Sequence, residues 1–147
     1  MTVSIGSDHA GFIYKEALKQ MLVDDGYVVL DVGTYSAESV DYPDYGAAAA
    51  HLVRDNHADF GVVICGSGIG ISIAANKVRG IRAANCTSVE LAQLARMHND
   101  ANVIAIGQRI VSIELAQEMV RVFLTTEFEG GRHQRRVEKI DELGDLQ

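Results

Sequence analysis

The sequence predicts an α/β fold in which helices cover both faces of a doubly wound, five-stranded parallel sheet. Three observations favour this class. Apolar segments of strand length alternate with helical segments along the whole chain. One of them, residues 60–65 (FGVVIC), is almost continuously apolar, as is typical of a parallel strand buried on both faces. The 147 residues hold no linker, repeat or low-complexity tract and fit a single domain, residues 1–147.

Each predicted strand is a short apolar run that ends in a turn or a glycine. The predicted strands are residues 2–6, 27–31, 60–65, 82–86 and 103–106. Each predicted helix fills the segment between one strand and the next, or follows the last strand. The predicted helices are residues 12–25, 47–56, 69–78, 88–97, 112–124 and 133–143. Five strands that alternate with helices indicate a Rossmann- or flavodoxin-like arrangement of three layers.

Local signals support the helices. Leu18 and Leu22 recur on one side of the first helix. Pro43 precedes the second helix, and proline suits a loop or a helix start. Ser112 is a good N-cap for the fifth helix, although Leu115 rather than a glutamate stands at the third helical position.

Composition and charge exclude several classes of protein. The chain is 48% hydrophobic and 22% charged, which is typical of a folded protein. Its formal net charge of -7 argues against a basic surface for nucleic acid. No apolar run approaches the roughly 18 residues that span a bilayer, and no signal peptide precedes the first strand. Two cysteines are too few for a disulfide framework, so we expect a cytoplasmic protein with no membrane or nucleic-acid partner.

The loop after the third strand is the most informative segment. Cys65 ends that strand, and residues 66–70 (GSGIG) lead into a helix. Unpaired N–H groups at a helix start attract anions and favour a thiolate, so the loop offers a base and a cradle for an anion. A dinucleotide fingerprint does not fit, because Ile71 stands where its last glycine belongs, and a Walker A triplet is missing. The alternative is a loop that only turns the chain.

Polar residues also follow other predicted strands. Ligands of an open parallel sheet bind at the carboxyl ends of the strands, near a switch in strand order. We therefore expect the functional site at this edge of the sheet. The segments concerned are residues 7–11, 33–34, 65–67 and 107–109.

The segment after Gly130 and Gly131 is basic. Arg132 and Arg136 are four residues apart, so on a helix they share a face and could hold one phosphate between them. A helix beyond a glycine pair often packs on another subunit. The alternative is a solvated basic face, balanced by the acidic residues that follow up to Glu142.

Together these segments resemble one family, the type B ribose-5-phosphate isomerases and the related galactose-6-phosphate isomerase subunits. The matching motifs span nearly the whole chain in order. They are residues 7–11 (SDHAG), 41–43 (DYP), 64–70 (ICGSGIG), 74–77 (AANK), 80–83 (GIRA), 98–102 (HNDAN) and 130–133 (GGRH).

The resemblance implies a cytoplasmic aldose–ketose isomerase of the pentose phosphate pathway that needs neither a metal nor another cofactor. In this family the cysteine that ends the third strand moves a proton between C2 and C1 through an enediolate, and that position is Cys65 here. Some members carry a glutamate base six residues later, where this chain has Ile71, so the chain resembles the cysteine subtype. Ser67 keeps the hydroxyl that is often a threonine in that subtype.

The resemblance also implies roles for individual residues. Those expected to take part in catalysis are Cys65 as base, His98 in opening the sugar ring, Ser67 as an oxyanion donor and Asp8 as a second proton-handling or sugar-binding group. Those expected to bind the sugar phosphate are His9, Gly66, Gly68, Ile69, Gly70, Asn99, Arg109, Arg132 and Arg136. The expected assembly is a homodimer or a dimer of dimers, with the site at the subunit interface.

Simpler interpretations remain for single residues. His98 could be a surface or capping residue, Asp8 could cap the helix that begins near Gly11, and Cys86 is expected to be structural. No His-x-x-x-His or Cys-x-x-Cys spacing supports a catalytic metal. Function has alternatives too. They are isomerisation of allose 6-phosphate, galactose 6-phosphate, a tetrose phosphate or an unphosphorylated sugar, and a non-catalytic phosphate-binding module.

Overall fold

The computed structural model describes residues 1–145, so the last two residues of the predicted domain 1–147 lie outside the described residues. Five strands and six helices alternate in the predicted order. The strands are β1 (Thr2–Ser7), β2 (Val28–Asp31), β3 (Phe60–Cys65), β4 (Ala83–Asn85) and β5 (Val103–Gly107). The helices are α1 (Phe12–Asp24), α2 (Tyr42–Arg54), α3 (Ile69–Asn76), α4 (Val89–Asn99), α5 (Ile113–Thr125) and α6 (Arg132–Asp145).

The strands form one parallel sheet in the order β2-β1-β3-β5-β4. The predicted doubly wound α/β class is therefore confirmed, although the flavodoxin order has its fourth and fifth strands exchanged relative to this sheet. The chain runs from β1 to β2 on one side and then crosses back to β3 on the other side of β1. This change of direction is the switch point at which a ligand cleft opens beyond the carboxyl ends of the strands.

Two apolar layers cover the sheet. Because side chains alternate along a strand, Val62 and Ile64 of β3 face the layer with α1, α4 and α5, whereas Val63 and Cys65 face the layer with α2 and α3. Strands β3 and β5 are buried along almost their whole length. The buried centre of the sheet fixes the positions at which β1, β3 and β5 end.

The second helix begins five residues earlier than the sequence predicts, at Tyr42 instead of residue 47. Pro43 lies in its first turn, where a missing N–H costs no hydrogen bond, rather than in front of the helix. The fourth helix runs to Asn99 and ends at Asp100 in a left-handed conformation. His98 and Asn99 therefore belong to its last turn, whereas the prediction had ended the helix at residue 97.

Helix caps behave as expected for α5. The Ser112 hydroxyl accepts a hydrogen bond from the Leu115 N–H across 3.1 Å. Within residues 1–145 no helix is both long enough and apolar enough to cross a bilayer.

A buried ion pair ties α1 to the end of β2. Lys15 is fully buried, and its Nζ lies 2.6 Å from Oδ2 of Asp31. The other carboxylate oxygen accepts from the Gly33 N–H at 2.9 Å. Since Gly33 and Thr34 exchange backbone hydrogen bonds with Ser7, this pair braces the carboxyl end of β1, where the predicted site begins.

Candidate active site

Cys65 is the last residue of β3 and lies beside the first turn of α3. It is 4% exposed, and its Sγ accepts a hydrogen bond from the Gly68 N–H across 3.2 Å. Gly68 is the N-cap of α3 and adopts a positive φ of 81°. The thiol is thus held against the unpaired N–H groups of a helix start.

The loop of residues 66–70 packs closely against residues at the ends of neighbouring strands. A Cβ on Gly68 would lie 2.5 Å from Oδ1 of Asn85 and 3.0 Å from the Gly107 backbone nitrogen. A Cβ on Gly66 would lie 3.0 Å from an Nη atom of Arg109. The two glycines therefore let the β3–α3 loop approach the ends of β4 and β5 more closely than other residues allow.

The end of β1 supplies Asp8. Its side chain is nearly buried, and Oδ1 accepts a hydrogen bond from the Gly11 N–H at 3.1 Å. Asp8 is therefore a capping residue, but it caps the 3-10 turn His9–Gly11, whereas the N-cap of α1 is Gly11. Gly11 in turn lies directly on β3, because a Cβ there would be 2.5 Å from the Ile64 carbonyl oxygen. This contact sets the 3-10 turn His9–Gly11 against the strand that carries Cys65.

His9 is oriented by a backbone amide. Its Nδ1 accepts a hydrogen bond from the Val40 N–H at 3.1 Å. A neutral imidazole that accepts at Nδ1 carries its proton on Nε2, so the outer nitrogen of His9 is a donor. A donor at this position suits an anionic ligand.

These residues surround a cavity of about 310 Å³ at the carboxyl edge of the sheet. That volume is within the range of small-molecule sites. The lining residues combine a thiol, a carboxylate, an imidazole, a guanidinium and two hydroxyl groups. They are Asp8, His9, Ala10, Tyr42, Cys65, Gly66, Ser67, Gly70, Arg109 and Ile110.

Ser67 and Tyr42 complete this surface. The Ser67 hydroxyl oxygen accepts from the Ile69 N–H at 3.2 Å, which leaves its hydrogen free to donate to a ligand. The ring of Tyr42 lies against Gly70, where a Cβ would be 2.6 Å from its Cζ. Tyr42 is not among the predicted site residues. Its place in the motif 41–43, directly before Pro43, is the signal in the sequence that points to it.

Six predicted site residues do not line this cavity. Gly68 and Ile69 are at the start of α3, and the other four lie farther away in the chain. His98 and Asn99 are in the last turn of α4, and Arg132 and Arg136 are exposed on α6. None of the four lines the cavity around Cys65. Arg132 and Arg136 do share a helical segment, as their spacing predicts.

Helix α6 packs on its own chain. Val137 is buried, and Nη1 of Arg82 lies 2.8 Å from Oδ1 of Asp141. The Arg82 guanidinium also donates to the carbonyl of Asp100 at 2.9 Å. The position of α6 relative to α4 is therefore fixed within one chain, and its predicted reach to another subunit stays a prediction.

His98 stacks on His133 of α6. The ring centroids are 4.3 Å apart and the planes differ by 13°. Burial lowers the pKa of His133, the charges of His98, Arg132 and Arg136 lower it further, and Glu129 opposes them. These contributions favour the neutral ring of His133.

Cys86 differs from Cys65 in its surroundings. It lies in the apolar layer beneath α4 and α5 and is 1% exposed. Burial raises the pKa of its thiol to about 11. A thiol in such a place stays protonated at neutral pH, which agrees with the structural role expected for Cys86.

A second, larger cavity of about 950 Å³ lies between α2, α3 and α6. Its lining is basic, with Arg54, Lys77, Arg79 and Arg82, and contains no thiol. Its carboxylate, Asp141, is already paired with Arg82. The smaller cavity is the better candidate for proton transfer, because it alone holds Cys65.

Comparison with known proteins places this geometry in context. Residues 3–140 match the family described as Ribose/Galactose Isomerase. The chain is 50% identical over 138 residues to ribose-5-phosphate isomerase B of Escherichia coli K12, which covers 94% of this chain and 93% of that protein.

Solved structures agree with the sequence comparison. Ribose-5-phosphate isomerase B of Clostridium thermocellum superposes with a TM-score of 0.98 at 51% identity, covering 99% of each chain. The Mycoplasma genitalium ribose-5-phosphate isomerase B structure with bound ribulose-5-phosphate gives a TM-score of 0.95 at 39% identity, covering 99% of this chain and 97% of that one.

Proposed function

Because this chain belongs to the ribose/galactose isomerase family, we propose that it interconverts D-ribose 5-phosphate and D-ribulose 5-phosphate with Cys65 as the base. The observation that carries the proposal is the position of Cys65. The thiol is held at the start of α3 and opens onto the cavity that Asp8, His9 and Arg109 also line. No other thiol among residues 1–145 borders a cavity of this kind, since Cys86 lies in the core.

The proton transfer needs one base and donors for the developing oxyanion. The Cys65 thiolate removes the proton from C2 of the open-chain aldose, and the electron pair forms the C1–C2 double bond of the enediolate. The backbone N–H groups of residues 66–70 and the Ser67 hydroxyl stabilise the negative charge on oxygen. The thiol then returns the proton to C1. The proton of the C2 hydroxyl moves to the oxygen on C1, which leaves a carbonyl at C2 and a hydroxyl at C1.

The phosphate requires local positive charge because the chain as a whole is acidic, with a net charge of -7. His9 offers its Nε2–H, and Arg109 lies beside Gly66 at the rim of the cavity. A guanidinium binds phosphate through paired hydrogen bonds, which fixes the orientation of the sugar as well as its position.

We propose that a second copy of the chain completes the site. His98, Asn99, Arg132 and Arg136 lie outside the Cys65 cavity of their own chain, so they can serve the reaction only in another subunit. The exposed surface of α3 next to the cavity is apolar, with Ile69 and Ile73 each 56% exposed, as a subunit contact requires. The assembly would be a homodimer, alone or as part of a dimer of dimers.

In this assembly His98 of one subunit opens the furanose ring bound by the other. Ring opening needs a group that gives and takes a proton near neutral pH, and imidazole is suited to that role. Asn99 and Asp8 hold sugar hydroxyls, and Arg132 and Arg136 bind the phosphate. Both cysteines are free thiols, as a reducing compartment requires, and we place the enzyme in the cytoplasm.

Turnover of ribose 5-phosphate, in parallel with allose 6-phosphate and galactose 6-phosphate, tests the substrate. We expect the highest kcat/KM with the pentose, and unchanged rates after treatment with EDTA. If only a hexose phosphate is turned over, the proposed isomerisation mechanism stands and the proposed substrate is wrong. No turnover of any of the three would contradict the proposal.

A mixing experiment tests the shared site. Cys65→Ala and His98→Asn are each expected to inactivate both sites of a homodimer. After subunit exchange, a hybrid would hold one intact site, so random mixing should restore roughly a quarter of wild-type activity. If the mixture stays inactive while the subunits exchange, each site is built from one chain and the proposal of a shared site is wrong.

A further inference from the structure

Three metal-ligating side chains meet at the start of α6, outside the cavity around Cys65. They are His98, Glu129 and His133, whose ligand atoms lie within 4.8 Å of one another. We propose that they form a binding site for a zinc-type divalent cation, and that the bound ion inhibits the enzyme by occupying His98. The inhibitory effect rests on the proposed function of His98, whereas the binding site does not.

The backbone brings the three ligands together from separate segments. His98 lies in the last turn of α4, and His133 lies in the first turn of α6. Glu129 is joined to α4 by the hydrogen bond from its N–H to the Met97 carbonyl, at 3.1 Å. Glu129 and His133 are four residues apart, and their side chains approach each other to 3.6 Å between Oε2 and Nε2.

A buried arginine holds this scaffold. Arg96 is 7% exposed and donates from Nε to the Thr126 carbonyl at 3.1 Å, which ties the segment before α6 to α4. It also donates from Nη1 to the Ala101 carbonyl at 2.6 Å. The cluster therefore stands on a fixed backbone rather than on a loose loop.

The ligand atoms are unoccupied by other contacts. Within residues 1–145, no hydrogen bond is formed by the side chains of His98, Glu129 or His133. His133 is 8% exposed, and its ring nitrogens are not among the buried atoms without a partner, which within residues 1–145 are represented by Ser7 Oγ alone. Its Nε2 therefore remains open to an ion that approaches from the side of Glu129.

The distances suit zinc after small side-chain rotations. Tetrahedral zinc holds nitrogen and oxygen ligands at about 2.0–2.2 Å, which places neighbouring ligand atoms roughly 3.3 Å apart. Glu129 Oε2 lies 4.0 Å from His98 Nε2 and 3.6 Å from His133 Nε2. The side chains of Glu129 and His98 are 46% and 37% exposed and have room to move. The two stacked rings need to tilt so that their nitrogens converge on the ion.

The donor set discriminates between ions. Two imidazoles and one carboxylate suit Zn²⁺ and leave a fourth position for water. Mg²⁺ requires an octahedron of oxygen ligands, which this cluster does not provide. The positive charges of Arg132 and Arg136 act on His133 and oppose a cation held by charge alone. They favour an ion that forms strong bonds to nitrogen.

Competition with a chromophoric zinc chelator measures binding of Zn²⁺ to the full chain. The variants are Glu129→Gln, His133→Gln and the control Glu127→Gln, which makes the same charge change two residues away on an exposed side chain. We expect one Zn²⁺ per wild-type chain. Loss of even an outer partner of a metal ligand costs about 10–100-fold in affinity, so loss of a ligand should cost at least as much. Glu127→Gln should bind like the wild type, and Mg²⁺ should not compete.

The outcomes separate the site from the function. Unchanged zinc affinity in Glu129→Gln would overturn the site and point to Cys65 as the ligand instead. Zinc that binds the wild type but not Glu129→Gln supports the site, whether or not the chain turns over ribose 5-phosphate. If the wild type is active, zinc should inhibit it reversibly with EDTA and inhibit Glu129→Gln far less. Full activity while zinc occupies the cluster would overturn the proposal that the bound ion inhibits the enzyme by occupying His98.

Discussion

The Sγ atom of Cys65 lies 3.2 Å from the backbone nitrogen of Gly68. This hydrogen bond closes the turn between β3 and α3 and aims the helix start at the thiol. It also links the conformation of a single glycine to the proposed base. Because Gly68 has a φ of 81°, which side chains rarely tolerate, the loop that holds Cys65 depends on a residue without a Cβ.

Replacement of Gly68 by alanine should reduce both stability and turnover. Gly68→Ala places a Cβ 2.5 Å from Oδ1 of Asn85, whereas Gly80 has the same φ of 81° and nothing within 4 Å of such an atom. Gly80→Ala should therefore lower the free energy of unfolding only by the strain of a positive φ, about 1–2 kcal/mol. Gly68→Ala should cost about 1–3 kcal/mol more and lower kcat/KM. Urea unfolding and steady-state kinetics of both variants measure this, and equal losses would refute the steric argument.

The buried ion pair beneath the site should be costly to break. Asp31→Asn removes the nearest charged partner of the fully buried Lys15 and leaves it only Glu16 at 3.7 Å. This should lower the free energy of unfolding by about 3–5 kcal/mol. The double variant Lys15→Met with Asp31→Leu should recover much of that loss. Asp55→Asn is the control, because Asp55 pairs with Arg54 on the exposed surface and should cost no more than about 1 kcal/mol. A small effect of Asp31→Asn would show that water reaches Lys15.

The carboxylate of Asp31 should also make the free energy of unfolding depend on pH in the acid range. Burial alone would raise the pKa of Asp31, but hydrogen bonds from Lys15, Gly33 and Lys19 outweigh it and hold the pKa below 3.8. The unfolded chain therefore binds the proton more readily, so the contribution of Asp31 is complete well above pH 3.8 and is lost as the pH falls through the folded pKa. The difference in unfolding free energy between wild type and Asp31→Asn should narrow below about pH 4. A difference that stays constant to pH 2 would contradict this.

Loss of Arg136 should weaken substrate binding more than catalysis. Removing one charged hydrogen bond to phosphate should raise KM for ribose 5-phosphate by about tenfold or more, with a smaller fall in kcat. Arg135 is the matched control, because it is the neighbouring arginine and is also exposed on α6. Steady-state kinetics of Arg136→Ala and Arg135→Ala provide the test. An unchanged KM in Arg136→Ala would exclude it from the phosphate site.

The order and class of the secondary-structure elements could be predicted because the apolar patterns are long and regular. The ends of helices were less predictable. The start of α2 at Tyr42 was missed because Asp41 forms no side-chain cap and the apolar residues of the helix begin later. The last turn of α4 was missed because His98 and Asn99 are polar and the stop comes from the left-handed Asp100.

The site could be predicted where its residues follow strands. Asp8, His9, Cys65, Ser67 and Arg109 meet in one cavity because parallel strands end at the same edge of the sheet. Residues on helices follow no such rule. Distances between helices depend on side-chain packing, so the sequence did not reveal the separation of Arg136 from this cavity.

The cluster of His98, Glu129 and His133 has no conventional signature in the sequence. It contains neither His-x-x-x-His nor Cys-x-x-Cys spacing and instead pairs Glu129 with His133 four residues later. Its third member, His98, is brought in by the packing of α4 on α6. A set of ligands that spans two helices becomes visible only once the helices are placed.

The most direct test of the central claim is the rate of ribulose 5-phosphate formation by Cys65→Ala, compared with wild type and with Cys86→Ala. If Cys65 is the base, kcat should fall by about 10²–10⁴-fold or more, while KM changes little and Cys86→Ala retains most of its activity. The fold should survive, since Cys65→Ala removes one sulfur atom at the edge of the core. A Cys65→Ala variant with near wild-type kcat would show that another group moves the proton.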